Sequence, residues 1–148
     1  MATDTNETKE LHGSCLCKGV SYTLSGAVRE ISHCYCSQCR RTHGLMGSYT
    51  RSNWDDVHFT NKKTLQWFRS SDSAERGFCN TCGSSLFWHR LDSGYVAISA
   101  GTLDQPTGLK VAGHIYTDDL PDYYSLPDDG MPRYGTTSDG KLDGDLST

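Results

Sequence analysis

The sequence predicts a mainly β domain of small antiparallel sheets with little helix, and three observations carry that expectation. Short runs rich in aromatic and β-branched residues recur at a spacing of about 10 residues. Turn-forming clusters separate them, and helical signals are confined to two brief stretches. At 148 residues, 35% hydrophobic and 22% charged, the chain is long enough for one domain with a buried core.

Residues 1–10, MATDTNETKE, are polar without apolar periodicity and read as a flexible arm. The folded domain is expected over 11–134. In VSYTLSG, alternation puts Val20, Tyr22 and Leu24 on one face. The stretch after Cys39 and the SNWDD turn around Ser52 to Asp55 can each hold a turn or two of helix. VHFT, TLQWFRS, SSLFWHR, YVAISAG and LKVAGHIY then read as strands, with Trp67, Phe68, Phe87 and Trp88 expected in the core. Turns are expected at 25–27, 60–63, 69–77 and 91–94. DYYSLPDDGMPRY reads as a packed final strap in preference to a lid, and residues 135–148 as a disordered acidic tail.

The formal net charge of −4 disfavours binding to nucleic acid or an anionic membrane through overall charge. No apolar run approaches the roughly 20 residues needed to span a bilayer, and the start lacks the basic-then-apolar pattern of a signal peptide. A cytoplasmic protein is expected, in which seven cysteines stay reduced and a disulfide framework is the weaker reading. Nothing in the sequence sets an oligomeric state.

The cysteines fall in tight groups: Cys15 and Cys17; Cys34, Cys36 and Cys39; Cys79 and Cys82. Such grouping points to metal. CNTCG, at 79–83, is the most specific signal, because a Cys-x-x-Cys turn aims two sulfurs at one ion and Gly83 can take a positive φ. The competing readings are a redox pair or two structural cysteines. CLC at 15–17 can complete a closed four-sulfur zinc site if the backbone bends there, since a flat strand would send its two sulfurs to opposite faces. Cys34, Cys36 and Cys39 would then be left to hold a second zinc with one position open, the arrangement of a catalytic zinc. Spacing alone does not fix this partition, because those three with any one of the other four would also close a site.

GSCLCKGVSY, CYCSQCRRTHG, RGFCNTCGSSLFW, ISAGTLD, HIY and LPDDGMPRY resemble the glutathione-dependent formaldehyde-activating enzyme family, also called the GFA or CENP-V domain family, from about His12 to Tyr134. The resemblance implies an Mss4-like fold of small sheets organised around zinc. It also implies the partition: Cys15, Cys17, Cys79 and Cys82 for a structural zinc, with Cys34, Cys36 and Cys39 for a catalytic one, so two zinc ions per chain.

Three thiolates leave a zinc centre with negative charge, which suits a soft sulfur ligand better than the making of hydroxide. A substrate thiol held there as thiolate could attack a small aldehyde. The resemblance implies glutathione and formaldehyde as that pair, condensing to S-(hydroxymethyl)glutathione. Arg40, Arg41 and Arg51 are candidate clamps for the glutathione carboxylates. His33 and His43 flank the cluster as possible proton shuttles or a fourth ligand, while chemistry alone assigns no role to His114. The alternative function is a noncatalytic zinc scaffold that binds a protein partner.

Overall fold

The structure, a computed structural model, describes residues 10–142. Its strands are β1 (Leu11–Ser14), β2 (Ser21–Leu24), β3 (Ile31–Cys34), β4 (Gly47–Asn53), β5 (Val57–Asn61), β6 (Leu65–Arg69), β7 (Ala74–Cys79), β8 (Ser85–Arg90), β9 (Tyr95–Ser99) and β10 (Val111–Ile115). One short helix, α1 (Ser37–His43), and three single 3-10 turns complete the regular structure of these residues. Strands β1, β2 and β5 form a small sheet, and the other seven form a larger one in the order β10-β3-β4-β9-β8-β7-β6. Pairing is antiparallel throughout except between β3 and β10, which run parallel. The expected fold class, mainly β with antiparallel sheets around cysteine clusters, is observed.

Side-chain alternation gives the large sheet two chemically different faces. One cross-strand row runs Thr50, Ile98, Phe87, Gly77, Trp67. This face is the core: Thr50, Ile98 and Phe87 are fully buried, and Tyr22 and Phe59 of the small sheet meet the Phe87 ring edge to face at 5.3 and 5.7 Å. Gly77 leaves room for the ring stacking here, because a Cβ would come within 3.0 Å of the Trp67 ring and 3.1 Å of Phe87. The adjacent row runs Arg51, Ala97, Trp88, Arg76, Phe68 and points the other way. Two arginines on one sheet face mark the side where the functional site lies.

Several expectations change in detail. Phe68, expected in the core, is 61% exposed, because it ends the arginine row on edge strand β6. The expected turn at 69–77 is shorter, since Ala74 to Gly77 already pair with β8. None of the expected strands covers β1, β3 or β4. These are short or rich in Ser, Thr, His and Gly, and β4 buries Thr50 and Ser52 by hydrogen-bonding their hydroxyls to the carbonyls of Arg29 and Asn53. The helix starts before Cys39, with Cys36 as its N-cap residue and Gly44 in the left-handed conformation that ends it.

Both chain ends also differ from expectation or lie beyond it. Residues 1–9 of the expected arm and 143–148 of the expected tail lie outside the described residues. Residues 135–142 are packed instead of disordered: Leu142 is 4% exposed and sits against Gly113, and the backbone N–H groups of Tyr116 and Asp118 bond to Thr136 and Gly135. The strap expected at 122–134 is observed, with Tyr124 stacked on Tyr35 and Asp129 bonded to the buried His114.

Candidate metal centres and the arginine-lined cavity

The chain turns back on itself after β1, where Cys15 N–H bonds to the Val20 carbonyl and Lys18 takes φ +67°. That bend lets Cys15 and Cys17 face the same point. The β7–β8 connection supplies the other half through Cys79 and Cys82, closed by Gly83 at φ +80° as the CNTCG spacing predicts. The four sulfurs lie within 4.8 Å of one another, with Cys17 Sγ 3.7 Å from Cys15 Sγ and 3.6 Å from Cys79 Sγ. Backbone N–H groups of Thr81 and Cys82 point at Cys79 Sγ, and that of Val20 at Cys15 Sγ. Hydrogen bonds from Ser84, first through its hydroxyl, hold the Cys82 thiol down at about 5.

Cys34 closes β3, Cys36 caps α1 and Cys39 sits on its first turn, so a strand end and a helix start aim three sulfurs inward. These sulfurs also lie within 4.8 Å of one another. Hydrogen bonds from Cys34, then from Cys39, pull Cys36 down to about 2, and the same contacts push the Cys34 thiol far above its ordinary range. The three groups thus share protons because they cannot all ionise side by side without a cation. A divalent ion removes that conflict. Each cluster can hold a metal ion, and the donor sets, four and three sulfurs, suit zinc.

The two clusters differ in surroundings. Cys34, Cys36 and Cys39 line a cavity of about 630 Å³, whereas none of the other four cysteines reaches it. Alternate residues of neighbouring strands build its floor: Ser32 and Cys34, Tyr49 and Arg51, Tyr95 and Ala97, Trp88 and Arg90, with Arg76 and Ile115. Tyr116 and residues from Thr137 to Leu142 form its rim.

Positive charge dominates the titratable lining: Arg29, Arg51, Arg76 and Arg90 face Asp119 and Asp139. The Arg51 guanidinium stacks over Tyr95 at 4.0 Å. Arg76 donates from Nη1 to the Tyr49 hydroxyl at 3.1 Å and from Nη2 to Gln38 Oε1 at 3.3 Å, with Cys39 Sγ at 3.8 Å. An arginine can only donate, so the Tyr49 hydroxyl receives from Arg76 and gives its own proton to His43 Nε2 at 2.5 Å. Burial, helped by the Arg76 charge, lowers the His43 pKa and keeps that ring neutral.

The residues singled out from sequence therefore separate. Arg51 lines the cavity; Arg40 and Arg41, on the helix, do not. His43 reaches the cavity wall through Tyr49. His33 alternates to the far face of β3 and meets the His114 ring at 5.7 Å, away from the cysteines. Arg29, Arg76, Arg90 and Tyr49 were not anticipated. Arg76 lies three residues before Cys79 of the four-sulfur cluster, and only its cross-strand partners reveal which way it points.

The family model described as glutathione-dependent formaldehyde-activating enzyme matches residues 10–119. A search of curated protein sequences found no match. Among solved structures, the chain is similar to a crystal structure of a Rhodobacter sphaeroides protein from structural genomics, at TM-score 0.53 and 20% identity over 66% of this chain and 91% of that one. At that identity the likeness concerns the fold alone.

Proposed function

The chain belongs to the glutathione-dependent formaldehyde-activating enzyme family, and from that premise we propose that it is a carbon–sulfur lyase joining a thiol to a small aldehyde. Glutathione and formaldehyde are the first pair to test. One observation carries the reading: the cluster with three sulfurs, not the one with four, opens onto the cavity. Zinc held by Cys34, Cys36 and Cys39 would supply a position for the substrate sulfur and keep it as thiolate at neutral pH, below the roughly 8.5 of a free thiol.

The chain's own residues would do the rest. Arg51, Arg90 and Arg29 give the cavity the charge to hold a thiol that carries carboxylates. Trp88 and Tyr116 wall the site and limit water beside the sulfurs. As the carbon–sulfur bond forms, the carbonyl π pair moves to oxygen, and the proton given up by the thiol is matched by one delivered to that oxygen. Tyr49 would donate to that oxygen by turning its single hydroxyl hydrogen away from His43 Nε2, since burial keeps the phenol protonated. His43, as the neutral partner of that hydroxyl, can receive or return its proton.

Exchange spectroscopy on 13C-labelled formaldehyde with reduced glutathione tests the proposal. Protein carrying its full metal complement should accelerate interconversion of free and adduct carbon. No acceleration over the spontaneous reaction would sink it and favour a noncatalytic zinc scaffold.

A further inference from the structure

Arg76 is a buried cation without a carboxylate. Only 7% of it is exposed, and among the described residues no Asp or Glu pairs with it. Its Nε is shielded from solvent and has no hydrogen-bond partner. A guanidinium so placed gives up its hydration, a cost that an opposite charge close by offsets. The groups that do stand close are Tyr49, Gln38 and Cys39 Sγ, at 3.1, 3.3 and 3.8 Å. Of these, only the sulfur becomes fully anionic when it ligates a metal. Strand β7 holds the guanidinium in place from the side of the sheet, while Cys39 belongs to the helix.

We propose that Arg76 is the fixed counter-charge of the three-cysteine centre and makes that centre select an anionic incoming ligand over a neutral one. The inference rests on the open metal centre proposed above. Three thiolates around a divalent ion sum to one negative charge, and an anionic fourth ligand raises that to two. Arg76 offsets the added charge. It is a positioning residue, since it acts through the sulfurs and the ligand they admit.

Cobalt(II) in place of zinc gives thiolate sites visible absorption that shifts when a ligand binds. Azide and imidazole, titrated separately, probe an anion and a neutral ligand, while the closed four-cysteine site supplies constant background. In Arg76→Gln, azide should bind about tenfold or more weakly, the effect of removing one nearby unit charge, with imidazole changed less than about twofold. Arg76→Lys, which keeps the charge but loses the fork, should keep the wild-type ratio of the two affinities. Equal weakening of both probes in Arg76→Gln, or of neither, would overturn the proposal. If the Gln variant fails to fold, a collapsed ratio in the Lys variant overturns it alone. A wild-type spectrum that responds to neither probe would sink the open-centre reading itself, and this inference with it.

Discussion

Tyr35 and His114 join the three-cysteine loop to the C-terminal strap: the tyrosine hydroxyl lies 3.0 Å from His114 Nδ1, and His114 Nε2 lies 2.9 Å from Asp129. An ionised Asp129 can only accept, so Nε2 carries a hydrogen in the neutral ring and Tyr35 donates to Nδ1. Tyr35 stands between Cys34 and Cys36 in the chain but alternates to the side of the sheet away from the cavity. At 2% exposure, His114 has no route to water that could replace these bonds. His114→Ala should therefore destabilise the zinc-loaded protein by about 3 kcal/mol in urea unfolding, combining a small cavity with the buried Tyr35 hydroxyl left unpaired and the bond to Asp129 lost. Tyr35→Phe, which loses one bond and no volume, should cost about 1 kcal/mol.

The same contact predicts a pH effect. Hydrogen bonds from the Met131 N–H and then from His114 hold the Asp129 carboxyl below its ordinary value. A carboxylate whose folded pKa is depressed contributes stability above its unfolded pKa, and that contribution is lost as pH falls through the folded value. Stability should thus decline below about pH 4 more steeply in wild type than in Asp129→Asn. Because acid also strips zinc, the readout is the difference between the two proteins in unfolding midpoint at each pH. Parallel curves would show that Asp129 contributes nothing.

The two cysteine groups predict opposite outcomes for similar substitutions. Cys79 joins β7 to the Cys15–Cys17 bend across more than sixty positions of sequence, so a metal there cross-links distant chain. Cys79→Ser should leave the protein largely unfolded or aggregated by circular dichroism. Cys36→Ser should retain the fold, lower the bound metal from two ions to one by native mass spectrometry, and abolish aldehyde adduct formation. A folded Cys79→Ser protein would remove the structural role.

Much of this architecture was legible because metal and turn chemistry is local. Seven cysteines with short spacings, and a glycine where the knuckle needs a positive φ, announce metal without tertiary information, while the division into four and three was implied by the family resemblance. The cavity was not legible, because its floor is assembled across strands. Arg51, Ala97, Trp88 and Arg76 come from four segments and become neighbours only once register is set. Trp88 and Phe68 were read as core on side-chain type, yet both lie on the arginine face. The polar, acidic composition of 135–148 hid a packed segment at 135–142, since two buried residues, Ser138 and Leu142, and a few backbone bonds suffice to dock it.

Arg40, Arg41 and Arg51 were equal candidates for substrate carboxylates while only sequence was in view, and the fold makes them unequal. Arg40 and Arg41 ride on α1 outside the cavity, whereas Arg51 extends from β4 into it, its guanidinium fixed over the Tyr95 ring. A planar guanidinium already held by stacking loses little freedom when it pairs with a carboxylate. Arg51→Gln should raise the KM for glutathione about tenfold to thirtyfold, the loss of one charge-assisted contact, with kcat within about twofold. The same variant should leave KM unchanged for 2-mercaptoethanol, a thiol with no carboxylate to hold. Arg40→Gln and Arg41→Gln should match wild type with both thiols. Steady-state kinetics on the four proteins separates the cases: an equal rise for both thiols in Arg51→Gln would mean that Arg51 only shapes the cavity, and a rise for glutathione in either helix variant would place the carboxylate site on α1 instead.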